Sequence, residues 1–392
     1  MKHCTGSTYK ISISFFWIFV LRMRMYPVFV LSLILPTYNE AENLPQLLPA
    51  LCTALEGIPH EIIIVDDDSP DKTWKIARNL AWKNPDIHVV RRVGRYGLSS
   101  AVMEGFLASK GTVLAVMDAD GQHDLTLLST LYGSVHRDSG MAIGSRYMQG
   151  GSVGQWDERR HALSRLATRM AIRLCKVEAT DPMSGFFAID RLLFESVLPA
   201  LNPKGFKILL DLLVHVPRST RVREFPFRFG VRTHGESKLS RRVQVEFLEY
   251  LYDVTLGTYI PLTFIKYCLV GTVGVLVNLA VYLAVSRLFL SGPQTTLQGF
   301  SLALLAGMET AIIFNFFLNN AWTFSRMKLR GLQAVSGLVT FNIACLFGAF
   351  ADYAVSAFFF TRGFPEILSV ILGAGVGVIW NYTMNRLFTW KT

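Results

Sequence analysis

The sequence predicts two joined parts: an α/β domain on a mostly parallel, nucleotide-binding type of sheet, then an all-α membrane domain of four helices. Three observations carry this. Short runs that are apolar throughout alternate with helix-like stretches up to about residue 145. Charged residues are plentiful to about residue 255 and sparse beyond it. Four apolar segments then follow, each reaching the roughly 20 residues that cross a bilayer.

The first run, residues 28–35, reads as a buried strand ending at Pro36. Further strands are expected at 61–65, 87–90, 112–117 and 141–143, separated by helices at 40–55, 72–82, 98–109 and 125–135. Strands without polar alternation, each followed by a helix, imply a sheet covered on both faces. The polar residues then fall in one kind of place. Thr37-Tyr38-Asn39-Glu40, Asp66-Asp67-Asp68, Asp118-Ala119-Asp120 and Gly144-Ser145-Arg146 all sit just past strand C-termini. In an open α/β sheet that edge binds ligands.

The net charge of +10 suits an anionic surface or anionic substrates. Nucleic acid is disfavoured as a partner, because no basic block or nucleic-acid motif occurs. Cys4, Cys52, Cys175, Cys268 and Cys345 show no paired spacing, which argues against a zinc site or a disulfide framework. Residues 1–27 form an N-terminal extension whose apolar run precedes its arginines, opposite to a secretory signal.

An aspartate pair alone is a weak signal, since loops and helix caps use such pairs freely. Here the pair ends a strand, and its period-2 spacing brings Asp118 and Asp120 to one side with Gln122 beyond. Hard oxygen ligands of this type suit Mg²⁺ or Mn²⁺ bridging a diphosphate.

Leu-Pro-Thr-Tyr-Asn-Glu (35–40), Val-Asp-Asp-Asp-Ser-Pro-Asp (65–71), Asp-Ala-Asp-Gly-Gln-His (118–123) and Gly-Ser-Arg-Tyr (144–147) resemble the inverting GT-A glycosyltransferases of family 2. Asp-Pro-Met-Ser-Gly-Phe-Phe (181–187), Gly-Phe-Lys-Ile-Leu-Leu (205–210) and Arg-Thr-His-Gly-Glu-Ser-Lys-Leu (232–239) narrow the likeness to dolichol or polyprenol phosphate mannose synthases, over residues 28–245. The resemblance implies that Pro36, Tyr38, Glu40, Asp66 and Asp68 frame the nucleoside, with Asp66 at base or ribose. It implies Asp118, Asp120 and Gln122 as metal ligands, the two aspartates also meeting the nucleotide-sugar. Arg146, Lys207 and Arg232 would act with Asp120 in catalysis by neutralising phosphates, and Arg146, Arg160 and Ser164 would hold the acceptor phosphate. The expected donor is GDP-mannose and the acceptor dolichyl or polyprenyl phosphate. A UDP-sugar donor giving polyprenyl phosphate glucose stays open, as does a non-catalytic scaffold or flippase. A processive synthase lacks support, because no Gln-x-x-Arg-Trp motif occurs.

Residues 147–156, with Gly150, Gly151 and Gly154, read as a mobile flap. Residues 158–176 read as a helix with Arg165, Arg169 and Arg173 on one side and Leu163, Leu166, Met170 and Leu174 on another, a pattern suited to a bilayer surface. Residues 246–261 form an interfacial connector, and the membrane domain occupies 262–392 with spans near 262–289, 299–324, 333–360 and 366–389. Arg326, Lys328 and Arg330 between the second and third spans place the soluble domain and the C-terminus in the cytoplasm, on a prokaryotic plasma membrane. Asn315-Phe-Phe-Leu-Asn319-Asn-Ala-Trp-Thr323 repeats in register as Asn381-Tyr-Thr-Met-Asn385-Arg-Leu-Phe-Thr389. This repeat marks two duplicated hairpins and resembles the GtrA-like membrane family. Glu309 and Asp352 are intramembrane carboxylates, which are costly and call for partners.

Overall fold

The structure, a computed structural model, describes residues 30–154, 158–202, 207–230, 241–257, 259–289 and 297–391. The N-terminal extension therefore lies outside the described residues. The chain divides into two compact units, Met1–Leu251 and Tyr252–Thr392.

The first unit is built on a seven-stranded sheet in the order β3-β2-β1-β4-β6-β5-β7. The strands are β1 (Leu31–Thr37), β2 (His60–Asp66), β3 (Ile87–Arg91), β4 (Val113–Val116), β5 (Met141–Ser145), β6 (Phe187–Asp190) and β7 (Val222–Pro226). β1 pairs in parallel with β2 on one side and β4 on the other, so the chain reverses its winding between them. β6 runs antiparallel between β4 and β5. The sequence pattern anticipates β1–β5 but neither β6 nor β7. β1 also continues one residue past Pro36, because a proline lacking its N–H still accepts from a neighbouring strand.

Helices α1 (Leu44–Ala54), α2 (Thr73–Ala81) and α4 (Leu127–Asp138) cover one face of the sheet. On the other face lie α3 (Leu98–Ala108), α6 (Arg191–Val197) and α7 (Ile208–His215). Leu31, Leu33 and Leu35 point into the first layer and Ile34 into the second, all fully buried. Each contributes about 2 kcal/mol of burial. Two covered faces explain why these strands carry no polar alternation. A third cluster joins α5 (Glu158–Cys175), α7 and α8 (Arg241–Thr255) through Ala171, Met183, Leu210, Phe247 and Leu251. On α5, Leu163, Leu166 and Leu174 remain exposed, while Met170 packs inward against that cluster.

The second unit holds α9 (Leu262–Phe289), α10 (Leu297–Leu318), α11 (Leu332–Thr361) and α12 (Glu366–Met384). Among the described residues, four segments of 22 to 30 residues with mean hydropathy 1.6 to 2.2 are long and apolar enough to cross a membrane. The sequence repeat reappears as geometry. Asn319–Thr323 and Asn385–Thr389 each form a π-helical turn at the end of a hairpin. Phe324 and Trp390, next after these turns, stack at 4.2 Å between ring centroids. Asn315 abuts Gly274 and Asn381 abuts Gly348 so closely that a side chain at either glycine would collide with the amide. Glu309 accepts a hydrogen bond from Asn342 at 2.7 Å and Asp352 from Ser356 at 3.2 Å, so each carboxylate has its own polar partner.

Candidate active site

β1, β2, β4 and β5 all run the same way, so their C-termini share one edge. The four polar clusters of the sequence meet there, at the point between β1 and β4 where the winding reverses. They open onto a cavity of about 590 Å³.

Three backbone bonds zip the first two clusters together. Asn39 N–H donates to Ser69 Oγ (3.0 Å), Glu40 N–H to Thr73 Oγ1 (2.9 Å) and Ala41 N–H to Asp71 Oδ2 (3.1 Å). Pro36, Tyr38 and Glu40, expected to frame the nucleoside, line the cavity together with Leu98 and Ala101. The three consecutive aspartates divide their work differently from the expectation. Asp66 is fully buried, and its oxygens accept from Ser69 N–H (2.9 Å), Ser69 O–H (2.6 Å) and Thr37 O–H (3.0 Å). It holds the loop and does not line the cavity. Asp68 sits at φ +53° and pairs with Arg91, also away from the cavity lining. The aspartate on the cavity is Asp67, held by Arg92 and by Gly97 N–H (2.7 Å). Burial pushes the Asp67 carboxyl above its ordinary value against the lowering by Gly97 N–H and Arg92. Of the three aspartates named together in the sequence, Asp67 alone is on the cavity lining.

Asp118, Asp120 and Gln122 line the same cavity. Burial alone would raise the Asp118 carboxyl, but His123, Arg146 and Lys207 outweigh it and hold the group below its ordinary value. Gln122 donates its amide N–H to Gly230 O at 2.7 Å, which leaves the carbonyl end for a ligand. Two carboxylates and an amide oxygen are the hard oxygen donors that a divalent cation would take. No group of three His, Cys, Asp or Glu side chains among the described residues is placed to hold a metal unaided.

The segment Asp181–Gly185 explains itself here. Asp181, fully buried, takes the Arg146 guanidinium in two parallel bonds of 2.7 and 2.9 Å. Ser184 O–H donates to Gly144 O at 2.7 Å. A side chain at Gly185 would collide with the Asp118 carboxylate, so glycine is what lets that carboxylate lie against the backbone. Burial works against the Arg146 charge, and Asp181 more than restores it. Lys207 is pushed down to about 8, first by burial and then by Arg146, with Asp181 and Asp118 pulling the other way.

Arg160 and Ser164 of α5 also line the cavity, and Tyr147 and Ser164 share a hydroxyl–hydroxyl bond at 2.9 Å. Beyond them the wall turns apolar, with Leu163, Leu166, Met170, Met183, Phe247 and Leu248. Within the expected flap of residues 147–156, Ser152 N–H donates to Phe227 O and Phe229 N–H to Ser152 O, and residues 155 and 156 lie outside the described residues. Arg232 and Trp156 lie outside the described residues.

Sequence reasoning singled out neither Asp67 nor Asp181, and it missed His123. The His123 ring is enclosed by Phe186, Phe227 and Phe229 at 4.9 to 5.5 Å, and its Nε2 lies 3.6 Å from Asp118 Oδ2. Its position immediately after Gln122 was the available signal.

The family model Glycosyl transferase family 2 matches residues 32–198, and GtrA/DPMS, transmembrane domain, matches residues 266–390. A dolichol-phosphate mannosyltransferase of Pyrococcus furiosus is 38% identical over 368 residues, 92% of this chain and 99% of that protein. A dolichol-phosphate mannosyltransferase of Saccharomyces cerevisiae is 38% identical over 57% of this chain and 86% of its own length. A polyprenol monophosphomannose synthase of Mycolicibacterium smegmatis is 38% identical over 53% of this chain and 80% of its own.

Proposed function

The chain belongs to glycosyl transferase family 2, among the dolichol-phosphate mannosyltransferases that carry a GtrA/DPMS transmembrane domain, and we propose that it transfers mannose from GDP-mannose to dolichyl or another polyprenyl phosphate. One observation carries the reading. One cavity is lined by carboxylates and cations and also by the apolar side chains of α5 and α8. A nucleotide-sugar needs the first set, and a lipid phosphate needs both.

The nucleoside lies against Pro36, Tyr38, Glu40 and Asp67. Asp118, Asp120 and Gln122 would hold a divalent cation, Mg²⁺ or Mn²⁺, which would neutralise charge on the diphosphate. Arg146 and Lys207, with Arg232, offset the repulsion between donor diphosphate and acceptor phosphate. Arg160 and Ser164 seat the acceptor phosphate at the mouth of the apolar wall.

A phosphate oxygen of the acceptor attacks the anomeric carbon. The new C–O bond forms as the bond to the nucleoside diphosphate breaks, and the sugar configuration inverts. The nucleophile is already an anion, so no proton has to be removed from it and no catalytic base is required. The work left to the protein is positioning and charge compensation. The exposed leucines and arginines of α5 lie at the bilayer surface. The basic loop around Arg326, Lys328 and Arg330 supports a cytoplasmic catalytic domain by the positive-inside rule.

The test uses membranes carrying the protein, a polyprenyl phosphate, Mg²⁺ or Mn²⁺, and labelled GDP-mannose or UDP-glucose. Label enters the lipid from GDP-mannose. Label from UDP-glucose alone overturns the donor, and label from neither overturns the enzyme.

A further inference from the structure

Asp211 is a buried carboxylate that the mechanism above does not use. It is 2% exposed, in the first turn of α7, and its backbone N–H donates to Lys207 O at 3.1 Å. Its side chain accepts from Asn202 N–H at 2.6 Å and from the Tyr250 phenol at 2.9 Å. His215 Nδ1 lies 3.4 Å from the same carboxylate. A carboxylate taken this far from water is costly unless its acceptor sites are filled, so its partners are fixed by a large penalty. Burial pushes the Asp211 carboxyl above its ordinary value, and the Asn202 and Tyr250 bonds pull it back.

The location of the two partners gives the pair its meaning. Lys207 immediately precedes α7 and lines the cavity beside Arg146 and Asp118. Tyr250 lies on α8, where Phe247 and Leu248, within one turn of it, line the apolar end of the cavity. Phe247 and Leu251 pack on Leu210 and Met183, but apolar packing is non-directional and sets α8 against α7 only loosely. A hydrogen bond to a charged group is short and directional, and it fixes the register between the two helices.

We propose that Asp211 and Tyr250 are a positioning pair that sets the distance between the phosphate-facing Lys207 and the lipid-facing wall of α8, and so tunes recognition of the acceptor's chain. This rests on the reading that the apolar end of the cavity takes the polyprenyl tail. The pair touches neither substrate, and it acts through the helices it joins.

Tyr250→Phe removes the phenol O–H and keeps the ring. In full-length protein in detergent or vesicles, its KM for a long-chain polyprenyl phosphate rises about tenfold, the size expected for a lost hydrogen bond to a charged partner. The KM for GDP-mannose and the KM for a two-isoprene phosphate, too short to reach the α8 wall, stay within about twofold. Asp211→Asn shifts the same long-chain KM, and the double variant is no worse than the worse single, because both remove one interaction. An unchanged long-chain KM in Tyr250→Phe overturns the pair. So does an equal rise in all three KM values, which would mark general damage to the fold. Wild-type enzyme indifferent to chain length overturns the acceptor reading and this inference with it. A wild type that prefers long chains, beside an unaffected Tyr250→Phe, overturns the inference alone.

Discussion

In the α/β unit the buried polar residues converge: Asp67, the pair Asp120 and Gln122, and Asp181 come from three turns to one edge of one sheet, the first three on one cavity and Asp181 bonded to Arg146, which lines it. In the membrane unit the polar side chains are dispersed along helix pairs. Asn315 lies against Gly274, Asn381 against Gly348, and Asn385 donates to Tyr267. Asn315 recurs in the other hairpin as Asn381, and Asn319 as Asn385. The convergent set borders a shared cavity, whereas the dispersed set has the placement of interhelical packing. Polar burial alone therefore says little about function. What separates the two cases is whether the polar groups face a shared cavity or a neighbouring backbone.

Substitutions can break that contrast from either side. The largest effect is expected for Asp120→Ala, which lowers kcat by about a thousandfold or more while leaving the protein folded and membrane-bound, because charge on the leaving diphosphate loses its compensation. Transfer assays beside a detergent melting curve check it, and near-normal turnover breaks the contrast. Asp181→Asn comes next. It leaves Arg146 without its paired carboxylate, and a broken buried pair corresponds to about a hundredfold loss in kcat/KM. A third test uses pH. Lys207 is a cation below about 8 and neutral above it, so donor kcat/KM falls as pH rises through that value. In Lys207→Arg the fall moves to higher pH, which a pH profile of initial rates reads directly. The smallest catalytic effect belongs to Asn381→Ala in the membrane unit. Transfer stays within about twofold, while the protein in detergent loses about 1 kcal/mol of stability with the interhelical contact.

The parts of the fold that were legible depend on local pattern. The alternation of apolar runs and helices locates β1–β5 and α1–α4 to within a few residues, and length with hydropathy locates all four spans. β6 escaped because a four-residue strand directly behind the Asp181–Gly185 turn has no periodicity to show. Its antiparallel insertion between β4 and β5 follows from tertiary packing alone. The Asp66-Asp67-Asp68 triplet shows a different limit. Three identical side chains in a row carry no sign of direction, and the assignment depends on where β2 ends and on the positive φ of Asp68. The pairing of Arg146 with Asp181 spans 35 residues, so the separate motifs were readable but their contact was not. On α5 the leucines and arginines were visible at helical spacing, yet only the packing of Ala167, Met170 and Ala171 shows which side the protein keeps for itself.

The central claim is that one cavity brings a nucleotide-sugar to an anionic lipid phosphate with no base to activate it. It is tested most directly by giving the enzyme GDP-mannose with a polyprenyl phosphate or with the free alcohol of the same chain, and following the product by NMR. The account predicts mannose on the phosphate only, with the anomeric configuration inverted. Mannose on the alcohol at a comparable rate, or retained configuration on the phosphate, would contradict it.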